Sequence, residues 1–213
     1  MSVPPTLLKA SFFNRDPRKV ARALLGKLLV RKNPHSILAG RIVETEAYLG
    51  ENDDAAHAVA GKTARNFVLF GPPGFAYVYF VYGNHYCLNV SCLPDGIPGC
   101  VLFRALEPVA GVEEMAKARG VEIRGPDDLK RLSLLRKIAS GPGRMCEAFG
   151  ITRGRDNAKN LASARSDLRI VDDAYRVRQI AVTARIGITK SAARPLRYVI
   201  AGNPFVSGGK VNV

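Results

Sequence analysis

Two short runs of β-branched and aromatic residues, YVYFVY and HYCLNV, meet at Gly83-Asn84 within residues 77–90. Glycine accepts the positive φ that a tight primed turn needs at its first central position, so the pattern predicts a β-hairpin. Strand alternation sends Tyr77, Tyr79 and Val81 to one face and Val78, Phe80 and Tyr82 to the other. Both faces are apolar, as in a strand buried on both sides. Tyr82 does not fit that reading, because the end of a hairpin is normally wet and polar. A large ring there suggests a wedge that enters something else, such as a base stack.

Elsewhere the pattern alternates between helical and extended. Asp16 is a good N-cap and Pro17 suits the first helical position, with Val20, Leu24 and Leu25 on one stripe and Gly26 to close the helix. Strands are predicted at residues 27–31 and 36–48, separated by Asn33-Pro34. Residues 49–63 hold small residues, an acidic cluster and two glycines without a period, which reads as a surface loop of the kind that often carries binding residues. The run 65–75 leads through Gly71-Pro72-Pro73-Gly74 into the hairpin, and a strand is predicted at 100–106.

Helical spacing returns at 111–119 and at 127–139, where Leu129, Leu132, Leu135 and Ile138 share a stripe and Lys130, Arg131, Arg136 and Lys137 lie off it. This predicts a basic amphipathic helix. Ser140-Gly-Pro-Gly-Arg144 starts another helix ending near Gly150; its free N–H groups with Arg144 can hold a phosphate, or form a plain capped start. Residues 152–166 are polar and turn-like, strands are predicted at 168–171, 179–183 and 197–201, and 185–195 is a basic loop. No repeat, low-complexity tract or linker divides the chain, so a single domain over 1–213 is expected.

The charge balance narrows the partner. Lys plus Arg number 32 against 18 acidic residues, a formal net charge of +14, although apolar residues at 47% are those of an ordinary globular protein. Each cation that neutralises a phosphate releases a condensed counterion, which favours nucleic acid. An anionic membrane fits less well, because the cations are spread along the chain. No apolar run approaches the roughly 20 residues of a membrane span. The start, MSVPPTLLKASFF, lacks the features of a signal peptide, so a cytoplasmic location is expected. Cys87, Cys92, Cys100 and Cys146 contain no CxxC pair and are expected to be reduced core thiols; a zinc site from His85, Cys87, Cys92 and Cys100 matches no familiar spacing.

Chemistry concentrates in RIVETEAY, residues 41–48. Alternation puts Glu44, Glu46 and Tyr48 on one face and Val43, Thr45 and Ala47 on the other. That face is either a wet sheet surface or the wall of a polar pocket. If buried, an ionised Glu needs a partner, and Arg104 in the apolar run CVLFRALEP is the candidate. A Glu–Arg pair in a pocket can hold a water and, with Glu as general base, take its proton.

RIVETEAYLG, then Ala55-Ala56-His57, YVYFVYGNHYCLN, CVLFRALEP, SGPGR and the terminal RIG…RPLRY…GNPFVS closely resemble the alkyladenine (3-methyladenine) DNA glycosylase family, in order from about residue 40 to 207. The resemblance implies a single-domain, mixed α/β (α+β) fold around a curved, largely antiparallel sheet, with peripheral helices and a protruding hairpin. It implies a monomeric, monofunctional glycosylase that acts on double-stranded DNA with damaged purines, such as 3-methyladenine, 7-methylguanine, ethenoadenine or hypoxanthine, without cofactor or metal. Glu46 then matches the general base and Arg104 a holder of the water, with a backbone carbonyl near Ile186 completing the water site, although the following loop differs in length. Tyr48 matches a base-stacking residue, His57 and Tyr79 pack on the other face, and Asn89 crowds a guanine 2-amino group. Tyr82 matches the minor-groove wedge, and Lys62, Arg65 and Arg144 match phosphate contacts.

His85 departs from the pattern, being polar where a relative has an apolar residue, and the first ~40 residues carry no motif. Two other readings stay open: a nucleic-acid-binding module that kept the fold and lost catalysis, and an RNA-binding domain like the accessory domain of tRNA formyltransferase.

Overall fold

A computed structural model of the chain describes residues 4–81, 83–209 and 211. Its frame is one sheet of nine strands: β1 (Thr6–Leu7), β2 (Leu28–Lys32), β3 (Ile37–Tyr48), β4 (Ala76–Val81), β5 (His85–Ser91), β6 (Cys100–Ala110), β7 (Leu168–Asp172), β8 (Ile180–Thr183) and β9 (Arg197–Ile200). Among the described residues all pairings are antiparallel, in the order β1-β7-β2-β3-β6-β5-β4, with β9 also on β3 and β8 on β9. The helices α1 (Ala10–Phe13), α2 (Pro17–Leu24), α3 (Val112–Ala118), α4 (Leu132–Ala139), α5 (Pro142–Ala148) and α6 (Arg153–Asp156) lie around it. The mixed α/β, largely antiparallel architecture expected from the sequence is the one observed. Among the described residues no helix is long and apolar enough to cross a membrane.

β3 is the spine. Its first half pairs with β2 from Ile37 to Arg41, and from Glu44 to Glu46 the same edge pairs with β9. The exchange is possible because the chain before β2 turns away at Gly26, whose N–H bonds to Ile42 O at 2.8 Å. α2 precedes that turn as the sequence predicts, with the Asp16 carboxylate accepting from Arg18 N–H and Pro17 in the first turn.

On its other edge β3 meets β6 with three irregularities, of which the two beside Glu44 are opposed. The partners run Ile42↔Leu106 and Glu44↔Ala105, which leaves Val43 extra on β3. They continue with Thr45↔Phe103, which leaves Arg104 extra on β6. A residue bulged from a ladder has its side chain re-aimed, and bulges recur beside active sites. Here the bulge frees Arg104 to reach across to β3.

The main core packs Val20 and Leu24 of α2, Val78, Leu88 and Val90 at the base of the hairpin, and Ile138, Met145 and Phe149 around α4 and α5. The hairpin therefore starts buried and emerges toward its end, where Phe80 is 47% exposed. Its turn corrects the sequence reading. Val81 pairs with His85, and Asn84 N–H reaches Val81 O at 3.4 Å, so Gly83, with φ +72°, is the third of the four turn residues, not the first central one. Tyr82, the expected wedge, lies outside the described residues.

Other segments also differ from expectation. The stripe over 127–139 is broken at Arg131, which is extended (ψ 99°) between a 3-10 turn, Asp128–Lys130, and α4. Leu132 consequently faces solvent while Ile138 is buried. Residues 49–63 are not a plain surface loop: they contain the 3-10 turns Gly50–Asn52 and His57–Ala60 and bury Asp53 and Ala58. β6 runs on to Ala110, and β1 and α1 had no signal in the amino-terminal sequence.

Arg31 on β2 is fully buried, with Nη2 2.9 Å from Asp156 and Nη1 3.0 Å from Asp167. Asp156 is also fully buried, so Asp156→Ala strands part of the guanidinium's charge in the interior. The variant is expected to lose about 3 kcal/mol of stability in a urea titration; an unchanged midpoint would show that the pair contributes nothing to the fold.

Candidate active site

Glu44, Glu46 and Tyr48 emerge from one face of β3, as strand alternation predicts, and the face is a buried wall, not a wet surface. Glu44 has no exposure and is saturated with donors. Its Oε1 accepts from Arg104 Nε at 2.9 Å, Arg197 Nε at 2.6 Å and the Ser207 hydroxyl at 2.9 Å, while Oε2 accepts from Ser207 N–H at 2.7 Å. Such a carboxylate is fully committed to holding its neighbours.

Glu46 is equally buried but more lightly held. The Tyr48 hydroxyl donates to Oε2 at 3.0 Å and Ile186 N–H to Oε1 at 2.9 Å, with Arg104 Nη1 3.2 Å away. Burial raises its pKa above the ordinary glutamate value, and Arg104, the Ile186 N–H and the Tyr48 hydroxyl only partly offset this. Burial also works against the charge of Arg104, but Glu46 and Glu44 outweigh it and hold the guanidinium protonated. Arg104 Nη1 also lies 3.3 Å from Ile186 O. The Glu46 carboxylate, the Arg104 guanidinium and the Ile186 carbonyl thus converge.

Tyr48 is fixed from behind. Arg185 lies 4.5 Å over its ring and is pinned by Asp53, which accepts at 2.6 and 2.8 Å, and by Ala47 O at 3.1 Å. Asp53 and the Arg185 side chain are both fully buried. Burial would raise the Asp53 pKa, but Arg185 and two backbone N–H groups, Leu49 and Ala55, outweigh it and lower it. The phenol of Tyr48 is pushed well above its usual range, first by burial and then by Glu46, so it stays a donor.

Tyr48 shares its cavity with an aromatic wall from the hairpin. Tyr77 and Tyr79 are 5.5 Å apart between ring centroids, and His57 meets Tyr79 edge-on at 4.5 Å. His57 Nδ1 is 2.9 Å from the Tyr77 hydroxyl. Burial, assisted by Arg65, lowers the His57 pKa, so the ring is neutral at physiological pH. Asn89 is buried below, its amide donating to Tyr77 O at 3.2 Å.

Two adjoining cavities of about 330 and 210 Å³ share Tyr48, Tyr79, Val81, Gly187 and Ile188; Glu46 lines neither and lies behind Arg104 and Ile186, which line the larger. The larger holds Arg104, Ile186, His85 and Arg144; the smaller holds His57, Tyr77, Asn89 and Arg65. His85 is half-buried and packs on α5, where a Cβ at Gly143 would lie 2.9 Å from its ring. Lys62 is exposed and lines neither cavity. The four cysteines are free buried thiols.

Sequence reasoning missed Asp53, Arg185, Arg197 and Ser207. The one available signal was arginine in otherwise apolar strand-like runs, the argument already applied to Arg104 and equally valid for Arg197 in RYVI.

A buried carboxylate thus lies beside a fixed cation, Arg104, that lines a cleft walled by aromatic rings. The chain belongs to the methylpurine-DNA glycosylase family, whose model matches residues 11–204. It is 64% identical over 201 residues, covering 94% of this chain and 93% of the relative, to a Koribacter versatilis protein described as "Putative 3-methyladenine DNA glycosylase". Relatives with the same description in Methanocella arvoryzae and Burkholderia cenocepacia are 45% and 43% identical, over 94% and 96% of this chain and 96% and 93% of their own lengths. The protein is accordingly a DNA glycosylase of base excision repair, a hydrolase of N-glycosyl bonds.

Arg185→Met should expose how the wall behind Tyr48 is held. In the native chain the lowered pKa of Asp53 contributes stability above its unfolded value of 3.8, lost as pH falls through the folded value. Without Arg185 the desolvated carboxylate dominates and the sign reverses. The variant is expected to lose about 3–5 kcal/mol near neutrality and to recover part of it as the medium is acidified toward the carboxylate range. A loss independent of pH in denaturant titrations would refute this account.

Proposed function

We propose that this glycosylase extrudes a damaged purine from double-stranded DNA and hydrolyses its N-glycosidic bond with a water activated by Glu46. The convergence of Glu46, Arg104 Nη1 and Ile186 O, within 3.2–3.3 Å of the guanidinium nitrogen, carries the reading. Water bound there gives its proton to Glu46 as its oxygen bonds to the sugar C1′, and the electron pair of the breaking C1′–N bond leaves on the purine. The raised Glu46 pKa makes it a stronger base than an exposed glutamate.

The purine enters the cleft between Tyr48 on one face and His57 with Tyr79 on the other. A 3-methyladenine or 7-methylguanine carries positive charge, which electron-rich Tyr faces attract and which makes the base a good leaving group. Asn89, pinned by its bond to Tyr77 O, crowds the 2-amino group of a normal guanine. Tyr82 fills the gap left in the duplex. Lys62, Arg65 and Arg144 contact backbone phosphates, and Arg65 and Arg144 stand at the cavity walls where they can do so. No lysine is among the pocket residues named here, so release should leave an uncleaved abasic strand.

Single-turnover release of base from a duplex with one 3-methyladenine or hypoxanthine tests the reading, with an undamaged duplex beside it and chelator present. Free base with an intact abasic strand is expected. Glu46→Gln should slow release by about 100-fold or more while retaining affinity for the damaged duplex; parallel loss of both would sink the assignment. Because the base must be ionised, the rate should fall as pH drops through the Glu46 pKa, with an inflection above the ordinary value of 4.5. A profile flat down to that value would contradict it.

A further inference from the structure

A third cavity, of about 300 Å³, shares Arg144 with the cleft and is lined by α4 and the segment around Ser207. Ser133, Arg136, Lys137, Ser140, Arg144 and Ser207 line it, and no carboxylate does. Its three cations are in none of the ion pairs among the described residues. The contrast with the preceding turn is sharp, since Lys130 and Arg131 there pair with Asp127 and Asp128 at 3.0 Å. Ser140 in the wall is 7% exposed, and its hydroxyl bonds to no protein group.

We infer that this cavity is a second anion subsite, which takes a backbone phosphate flanking the extruded nucleotide. Unpaired cations held together by the fold repel one another, and a phosphate relieves that repulsion while releasing counterions. Arg144 belongs to both the large cavity of the cleft and this one, so it links them along one path of the DNA strand. The break at Arg131 matters here. It ends the 3-10 turn and begins α4 anew, which presents Arg136 and Lys137 toward α5 and Arg144. The inference rests on duplex DNA being the substrate.

The test uses the full chain and duplexes that carry the lesion, each with one flanking phosphate replaced by a neutral methylphosphonate. At one position the replacement should weaken wild-type binding severalfold yet have no further effect on Arg136→Ala/Lys137→Ala, the signature of a shared contact. The double variant should also lower the slope of log K against log salt by about 1. Arg176→Ala/Arg178→Ala, which removes as much charge from the segment between β7 and β8, should leave both readings unchanged. Additive losses at every position, or equal effects from the two double variants, would overturn the subsite. Wild-type protein that releases base but shows no position-specific coupling refutes the subsite alone, whereas failure to bind damaged duplex refutes the function on which it rests.

Discussion

Everything at the centre of this protein depends on how two buried carboxylates share one guanidinium. Arg104 reaches Glu44 through Nε and Glu46 through Nη1, at 2.9 and 3.2 Å, in a site almost closed to water. Desolvation of this kind is tolerable only when every charge is matched. Glu44 obtains a second cation from Arg197, and Glu46 is left with the smaller share of compensation. Two glutamates two residues apart on one strand thereby become different groups. One is locked in place and holds the frame, and the other is underpaid in charge and therefore basic.

The sheet makes this sharing possible through its irregularities. An ideal ladder would point Arg104 along the alternation of β6, but the bulge inserts it as an extra residue opposite Glu44 and Thr45. The exchange of β2 for β9 along one edge of β3 supplies Arg197 directly opposite Glu46. Both features bend the regular pattern at the candidate site, in keeping with the tendency of functional sites to violate local rules.

That geometry also explains how much was legible in the sequence. Alternation placed Glu44, Glu46 and Tyr48 together, and an arginine in an apolar run announced a buried partner. Capping chemistry at Asp16-Pro17 located α2, and the resemblance named the cleft residues His57, Tyr79 and Asn89. Asp53 and Arg185 were hidden because their pairing spans 132 residues, and neither sits in a periodic segment. The helix over 127–139 failed for a different reason. Its leucines keep helical spacing across Arg131, but Asp127 and Asp128 pair locally with Lys130 and Arg131, and the chain takes a separate turn before α4. Periodicity records which residues are apolar and says nothing of where a backbone chooses to restart.

Ser207 closes the charge network from far along the chain, its N–H and hydroxyl both bonded to Glu44, 163 residues earlier. A contact of that span is slow to form and cannot exist on a nascent chain until Ser207 has left the ribosome. Until then Glu44 lacks both of the Ser207 donors and the cation from Arg197, so the burial of β3 is electrostatically incomplete. Translation thus fixes an order of events: the edge of the sheet can assemble early, but the charge network around Glu44 closes only after Arg197 and Ser207 have been made.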